Sequence, residues 1–372
     1  MKNIYLPEKN KLKIAFIQPC IPHYRVDFFG RIASEVSLHL FYGEEDNHGV
    51  KTSAEITNAV NYNHHGYIYF RKILFPRKFL TLLSKLRSMD CIILYGNVFN
   101  LSNYPIYVLS RLLGIKIVWF SQLLTSGTDI KKARLRLRII SIFSDAFLTY
   151  TEHEQELSKQ LFTNTYSIGN GLNIDEIESA ICGLPKEKIS RPAGLSLIFI
   201  GRLTSKSQIM FLLEVINQTK ISKLYVIGDG ALLDSAEKYV QENNLSDIVI
   251  FLGKITDENL IAKFALISDA FIYPGDVGLS LMHAFSYGLP AIIHDDFKSH
   301  MPEASILIRG YNGFMYKRSS KESLIKTINK CQCMKENNLL IDVSINAKKT
   351  VSQNYNTKAM AQNFLNMLGN VI

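Results

Sequence analysis

Four glycine-bearing turns, each closing an apolar run of strand length, hold the most informative chemistry in the chain. They are Ile200-Gly201-Arg202, Ile227-Gly228-Asp229-Gly230, Leu252-Gly253-Lys254 and Pro274-Gly275-Asp276-Val277-Gly278. In an open parallel sheet, ligands bind at the carboxyl ends of the strands. Glycine there lets the backbone come close to a ligand, and a helix start just beyond offers unpaired N–H groups to phosphate. One such turn is ordinary reversal chemistry; four in one stretch, one followed by arginine, point to a phosphate-bearing ligand. Arg202 is the cation such a ligand calls for, because a planar guanidinium matches diphosphate oxygens. Its alternative is a surface salt bridge at a strand end. Asp229 suits ligand contact and a turn bonded to its own backbone equally well.

The elements that must position these residues are legible as apolar runs. In the first half they are Lys13–Gln18, Leu38–Gly43, Cys91–Gly96, Ile115–Phe120 and Ala146–Tyr150. In the second they are Leu195–Gly201, Lys223–Gly228, Ile248–Gly253, Ala270–Pro274 and Pro290–His294. The runs are continuous, as strands buried on both faces of a parallel sheet should be. Helix-period segments lie between them, such as Ile209, Leu212, Leu213 and Ile216, or Leu279, Met282 and Phe285. This alternation implies two doubly wound α/β domains. A length of 372 residues suits two domains. The interruption at Cys182–Gly194 places the seam: residues 1–186 form one domain, and residues 187–350, which carry the glycine turns, form the second. Residues 351–372 form a terminal helix that packs back toward the first domain.

Composition excludes several classes. Hydrophobic residues make up 47% and charged residues 20%, which rules out disorder, collagen and coiled coil. The most apolar long window, Tyr104–Leu124, contains Arg111 and Lys116, so no run of about 20 apolar residues is available to span a membrane. The polar N-terminus lacks the apolar stretch of a signal peptide, so a cytosolic location is expected. The five cysteines are scattered, and only Cys331 and Cys333 lie close together, which reads as reduced thiols without a zinc site. The net charge of +9 is uneven: residues 1–150 hold twice as many Lys and Arg as Asp and Glu. Much of the excess lies in Lys131-Lys132-Ala133-Arg134-Leu135-Arg136-Leu137-Arg138, with Arg71, Lys72, Arg77, Lys78, Lys85 and Arg87. On a helix, Leu135, Ile139, Ile142 and Phe143 share one stripe, which reads as core flanked by snorkelling cations. The surrounding charge points to an anionic membrane surface as partner. Nucleic acid is disfavoured because no aromatic platform is interleaved with the cations. A nicotinamide dehydrogenase is disfavoured because Gln18-Pro19-Cys20-Ile21-Pro22 stands where a Gly-x-Gly-x-x-Gly would be.

With these motifs in order, the second half resembles the family 4 retaining glycosyltransferases. The series runs Gly201-Arg202-Leu203-Thr204, Val226 to Gly230, Val249 to Lys254 and Pro274 to Ser280. It continues with His283-Ala284, Tyr287 to Pro290, Pro302-Glu303 and Asn312-Gly313. The first half is similar more loosely, through Pro22-His23-Tyr24-Arg25, to the branch that builds bacterial surface polysaccharides. The resemblance implies the GT-B architecture of two facing Rossmann-like domains with a cleft between them. It implies donor contacts from Gly201, Gly228, Asp229, Gly230, Gly253, Lys254, Gly275, Asp276, Val277, Gly278, Leu279, Ser280, His283 and Glu303. Acceptor contacts would come from His23, Tyr24 and Arg25, and the catalytic cations would be Arg202 and Lys206. The donor would be a nucleotide sugar, UDP-linked, with no cofactor and no metal. Arg202 and the amides of a helix starting near Val277 would then hold the charge of the departing diphosphate.

The chain departs from that pattern in four places. Ser207 stands where relatives carry a lysine, with Lys206 one residue earlier. Gly275 and His283 replace a pair of glutamates, and Ser121 lies where an N-domain histidine is common. The surface-polysaccharide branch shows the Gly and His variants, and an imidazole at 283 can still bond a ribose hydroxyl; a histidine packed on an apolar helix face is the other reading. For Glu303 the other reading is a cap or surface role. The resemblance implies a retaining transferase acting on a saccharide or lipid-linked acceptor, by attack on the face from which the diphosphate leaves. The departures motivate a second class: a catalytically impaired binding or scaffold subunit of a glycan-assembly complex.

Overall fold

The computed structural model describes residues 11–46, 50–63, 67–70, 73–123, 130–185 and 191–372. Arg71, Lys72 and the expected boundary at 186/187 lie outside the described residues. The described chain divides into two units. The first runs to Asn170 and resumes at Thr357–Ile372, and the second is Gly171–Asn356. In chain order the first unit contains β1 (Lys13–Ile17), α1 (Val26–Glu35), β2 (Ser37–Phe41), β3 (Val60–Tyr62), β4 (Tyr67–Phe70) and β5 (Ile73–Pro76). Then come α2 (Phe79–Leu86), β6 (Cys91–Tyr95), α3 (Asn103–Leu113), β7 (Lys116–Phe120), α4 (Ile130–Ile142), β8 (Ala146–Thr149), α5 (Glu152–Lys159) and β9 (Thr165–Ser167). The second unit holds α6 (Ile174–Gly183), β10 (Ser196–Ile200), α7 (Ile209–Ile216), β11 (Lys223–Ile227), α8 (Leu233–Glu242), β12 (Val249–Gly253) and α9 (Glu258–Leu266). It continues with β13 (Ala270–Ile272), α10 (Leu279–Ser286), β14 (Ala291–His294), β15 (Gly313–Tyr316), α11 (Lys321–Glu336) and α12 (Leu340–Asn354). The last helix, α13 (Thr357–Val371), returns to the first unit.

Each unit is a parallel α/β sheet. The first has strand order β3-β2-β1-β6-β7-β8-β9 and the second β12-β11-β10-β13-β14-β15. Every ladder in these two sheets is parallel; β4 and β5 form a separate antiparallel hairpin. Nine of the ten apolar runs become inner strands buried between helix layers, and the tenth becomes β12, an edge strand that is largely half-buried. The sequence reading did not single out β3, β9 and β15, short strands at sheet edges, nor the β4–β5 hairpin. A strand of three or four residues is too short to show a period.

The units meet at other places than the seam read from sequence. Ile174, Ile177 and Ala180 of α6 join the core of the second unit, which moves the crossing back to Asn170/Gly171. Val351 is buried in that same core, so the return crossing falls at Asn356/Thr357 rather than at 350/351. Apolar residues of α13 (Met360, Phe364, Met367 and Leu368) complete the first core beside Phe16 and Phe28. Among the described residues no helix is long and apolar enough to cross a membrane.

Candidate functional site

In the second sheet, β10 and β13 are neighbours, with β11 and β12 on one side and β14 and β15 on the other. The order of connection reverses between β10 and β13, which makes their carboxyl ends the topological switch point of the unit. The loops after β10, β11 and β13 pack there backbone against backbone. A Cβ on Gly228 would lie 1.9 Å from the Gly201 carbonyl oxygen, and one on Gly275 would lie 1.9 Å from the Lys206 oxygen. The Leu203 amide donates to the Asp229 oxygen (3.0 Å), the Gly228 amide to the Gly253 oxygen (2.8 Å) and the Asp276 amide to the Lys206 oxygen (3.1 Å). At Gly228 and Gly275 the glycine therefore lets one loop approach the next. Asp229 turns its carboxylate into its own turn, accepting from the Gly230 amide at 2.6 Å.

The 3-10 turn Ser205–Ser207 decides which side chain after Arg202 faces outward. Ser207 is buried; its hydroxyl donates to the Thr204 oxygen (2.7 Å) and accepts from the Thr204 amide (3.2 Å). Lys206 is exposed, as are Arg202 and Lys254. Arg202 has no hydrogen-bond or ion-pair partner among the described residues. Its charge is felt by Tyr273, whose ring packs on Gly201. Burial pushes the Tyr273 phenol up to about 12, with Arg202 opposing the rise and Asp276 adding to it.

The amides at the start of α10 differ from expectation. The helix begins at Leu279 with Gly278 as its cap. The Val277 amide donates to His300 Nδ1 at 3.1 Å, so it does not point at a ligand. The amides of Gly278, Leu279 and Ser280 donate to no acceptor among the described residues, as in any first helical turn left open. His300 is buried, and its other nitrogen donates to the His294 oxygen at 3.0 Å. Its ring stacks on that of His294 with centroids 3.8 Å apart. Burial first, then His300 and Arg318, press the His294 imidazole down to about 4. His300 is also lowered, chiefly by burial. Both are neutral at pH 7, as the bond to Val277 requires. Asp276 leans back into this cluster, with Oδ1 3.5 Å from Arg318 Nη2 and 3.9 Å from His294 Nε2. Arg318 is held in turn by Asp296 at 2.6 Å.

Two further expected donor residues are placed. Glu303 is buried, and its Oε2 lies 3.9 Å from where a Cβ on Gly278 would be, next to the open amides. His283 does not lie free on an apolar face: its Nε2 is 2.6 Å from Glu258 Oε1 on α9. The Tyr287 hydroxyl donates to the same carboxylate, and burial with that charge raises the phenol far above its usual value.

In the first unit, His23, Tyr24 and Arg25 form a 3-10 turn after β1. His23 is exposed and Tyr24 half-buried. Arg25 is only 5% exposed: Nη1 donates to Met360 Sδ at 3.0 Å, and the guanidinium lies 5.3 Å from the Tyr150, 5.5 Å from the Tyr24 and 5.9 Å from the Phe120 ring centroids. Ser121 donates to the Gln122 carbonyl at 3.1 Å.

Residues 186–350 match the profile of the family described as glycosyl transferases group 1. The matched segment spans most of the second unit and is similar to that family. The chain is 23% identical over 313 residues to an uncharacterized glycosyltransferase of Methanocaldococcus jannaschii, covering 73% of this chain and 76% of that one. It is 25% identical over 146 residues to the lipopolysaccharide 1,6-galactosyltransferase of Escherichia coli K12, 36% of this chain and 39% of that one. Among solved structures, HepE of Anabaena in complex with UDP aligns with a TM-score of 0.69 at 15% identity, covering 96% of this chain and all of that one. That likeness shares the fold, with a parallel α/β sheet in each half. The transferase domain also contains residues that the sequence reading did not single out. Tyr273, His294, His300 and Arg318 surround the switch-point loops, and the spacing His294-x5-His300 was the one available signal.

Proposed function

We propose that this chain is a retaining transferase that moves a sugar from a nucleoside diphosphate donor, UDP-linked, to a saccharide or lipid-linked acceptor. The observation that carries the reading is Arg202, an exposed guanidinium without a partner among the described residues, on the same switch point as the amides of Gly278, Leu279 and Ser280. A cation and oriented N–H groups are what a departing diphosphate needs. Lys206 and Lys254 add positive charge at the same end of the sheet, and Glu303 lies beside the Gly278 cap as a donor contact. In the reaction, the bond from the anomeric carbon to the phosphate oxygen breaks. The acceptor oxygen bonds that carbon on the same face, and the leaving phosphate takes the acceptor proton. Configuration is retained, no metal is needed for charge neutralisation, and Asp276 is unsuited as a nucleophile because it leans on Arg318 and His294. His23 and Tyr24 are the acceptor contacts; Arg25 supports them from below.

The relatedness to a lipopolysaccharide galactosyltransferase supports a place in bacterial surface polysaccharide assembly: O-antigen, capsule or lipopolysaccharide. We place the enzyme in the cytoplasm, peripheral to the anionic inner face of the plasma membrane. The packing at Gly275 weighs against a decayed scaffold. A lost glutamate would leave a space, whereas here the Lys206 and Ser207 backbone closes on the glycine.

The test is a panel of nucleoside diphosphates in thermal unfolding, since a ligand at 100 times its Kd stabilises by about 2.7 kcal/mol. UDP should raise the melting temperature, and UDP-sugars should then be turned over. No response to any diphosphate would end the donor-site reading. Tight binding without transfer to any acceptor would move the protein to the scaffold class.

A further inference from the structure

The helices α2, α3 and α4 form one layer against the first sheet. Their inner residues Leu82, Leu86, Ile106, Ala133, Leu137 and Ile140 share a single cluster with Trp119 of β7. The layer is continuous between α3 and α4, where the Phe143 ring meets Tyr104 and Tyr107 edge-on at 4.8 and 5.4 Å. These three helices contain seven Lys and Arg and no Asp or Glu. By contrast, α1 carries Asp27 and Glu35, and α5 carries three glutamates.

The outward side is also apolar, which corrects the reading of the α4 stripe as core. Ala133, Leu137 and Ile140 take the sheet-facing side, so Leu135 and Ile142 point to solvent, 61% and 62% exposed. At about 100° per residue these two lie within about 20° of each other, with Lys131 and Arg138 on one flank and Lys132 on the other. Leu80 of α2 and Leu112 of α3 are 80% and 79% exposed, and Val108 is exposed one turn before Leu112. Arg111 is bonded to Asp145 at 3.0 Å; Lys85, Arg134 and Arg138 are exposed on the same layer of helices.

We infer that this layer is a docking face for an anionic lipid bilayer. Exposed aliphatic side chains enter the acyl boundary while flanking cations reach the headgroup phosphates, the arrangement of an interfacial amphipathic helix spread over three helices. A polyanion such as RNA would use the charges and leave Leu80 and Leu112 in water. A second copy of the same face would set like charge against like charge. The inference deepens the peripheral placement proposed above and rests on it, on charge and on exposure in the first unit; it is independent of the donor site.

The experiment is co-sedimentation of the full chain with vesicles of phosphatidylglycerol and phosphatidylcholine, against phosphatidylcholine alone. Binding is expected only to the anionic vesicles, weakening with salt. Arg134→Glu with Arg138→Glu should reduce partitioning by about five-fold or more per side chain. Leu112→Glu with Leu135→Glu should reduce it by about ten-fold or more. Ile341→Glu with Ile345→Glu, on the exposed side of α12 in the second unit, should leave it unchanged. Each variant alters exposed side chains, and an unchanged melting temperature and UDP response separate loss of docking from loss of fold or donor site. Failure of the wild type to bind anionic vesicles would overturn the inference. So would leucine variants that bind like wild type, equal loss in the α12 variant, or sedimentation velocity showing a dimer that the leucine variants dissolve.

Discussion

Both units place an arginine in the loop after their first strand, Arg25 after β1 and Arg202 after β10, at the same point of the same strand order. The two arginines have opposite fates. Arg25 is buried among three aromatic faces and a methionine sulfur, and ties its turn to α13. Arg202 is exposed, with no partner among the described residues. A guanidinium can stay charged beside ring faces because it is weakly hydrated and the π clouds are negative. The same side chain in the same topological place thus serves packing in one unit and remains available for an anion in the other. The deciding factor is what the neighbouring strand ends present: Phe120 and Tyr150 in the first, glycine loops in the second.

The comparison breaks first at Arg202. Arg202→Ala should lower transfer by about 100- to 1,000-fold, the usual cost of a charge-stabilising donor at a reacting centre. Its melting temperature should hold, since the side chain is exposed and bonds to none of the described residues. A variant with full activity would remove Arg202 from the chemistry. Next comes Gly275→Ala, whose new methyl would sit 1.9 Å from a backbone oxygen. Urea unfolding should show a loss of about 1–3 kcal/mol, and an unchanged midpoint would refute the close approach of the two loops.

The third prediction concerns acid. His294 and His300 have folded pKa values below their unfolded value of about 6.5. The stability that they confer is therefore complete above pH 6.5 and lost as pH falls toward about 4, the value for His294. Each histidine contributes a slope of up to about 1.4 kcal/mol per pH unit inside that window. Unfolding at several pH values should show this slope in the wild type and a shallower one in His294→Gln; equal slopes would refute it. Diphosphate affinity should fall over the same range, because a protonated His300 can no longer accept from Val277. The smallest effect is at Arg25. Arg25→Met should cost about 1 kcal/mol of stability, the scale of a buried cation–π contact. UDP binding should be unchanged; a loss of it with no change in melting would reverse the contrast between the two arginines.

Strand-length runs without alternation were enough to read a parallel sheet in each half, since only strands covered on both faces can be apolar throughout. The edge strands β3, β9 and β15 escaped because one partner and three or four residues leave no pattern, whereas the five-residue edge strand β12 was legible. At the site, Arg202 and the glycine turns were legible, but the roles divided differently. Gly228 and Gly275 serve loop packing, Asp229 caps its own turn, Val277 is taken by His300, and His283 is held by Glu258. Apart from Asp229, whose partner Gly230 is the next residue, these partners lie more than twenty residues away, and hydrogen bonds over that distance carry no local signature.

Order of elements, the buried faces of the strands, the cation after β10 and the concentration of positive charge in the first 150 residues were all written in residue type and spacing. Those properties depend on neighbours one helical turn or one strand length away. Which side of α4 faces water, which amides at α10 stay open and which arginine is sealed were decided by tertiary packing. Each depends on what a distant segment brings to the same few ångströms, and that is known only once the chain has closed on itself.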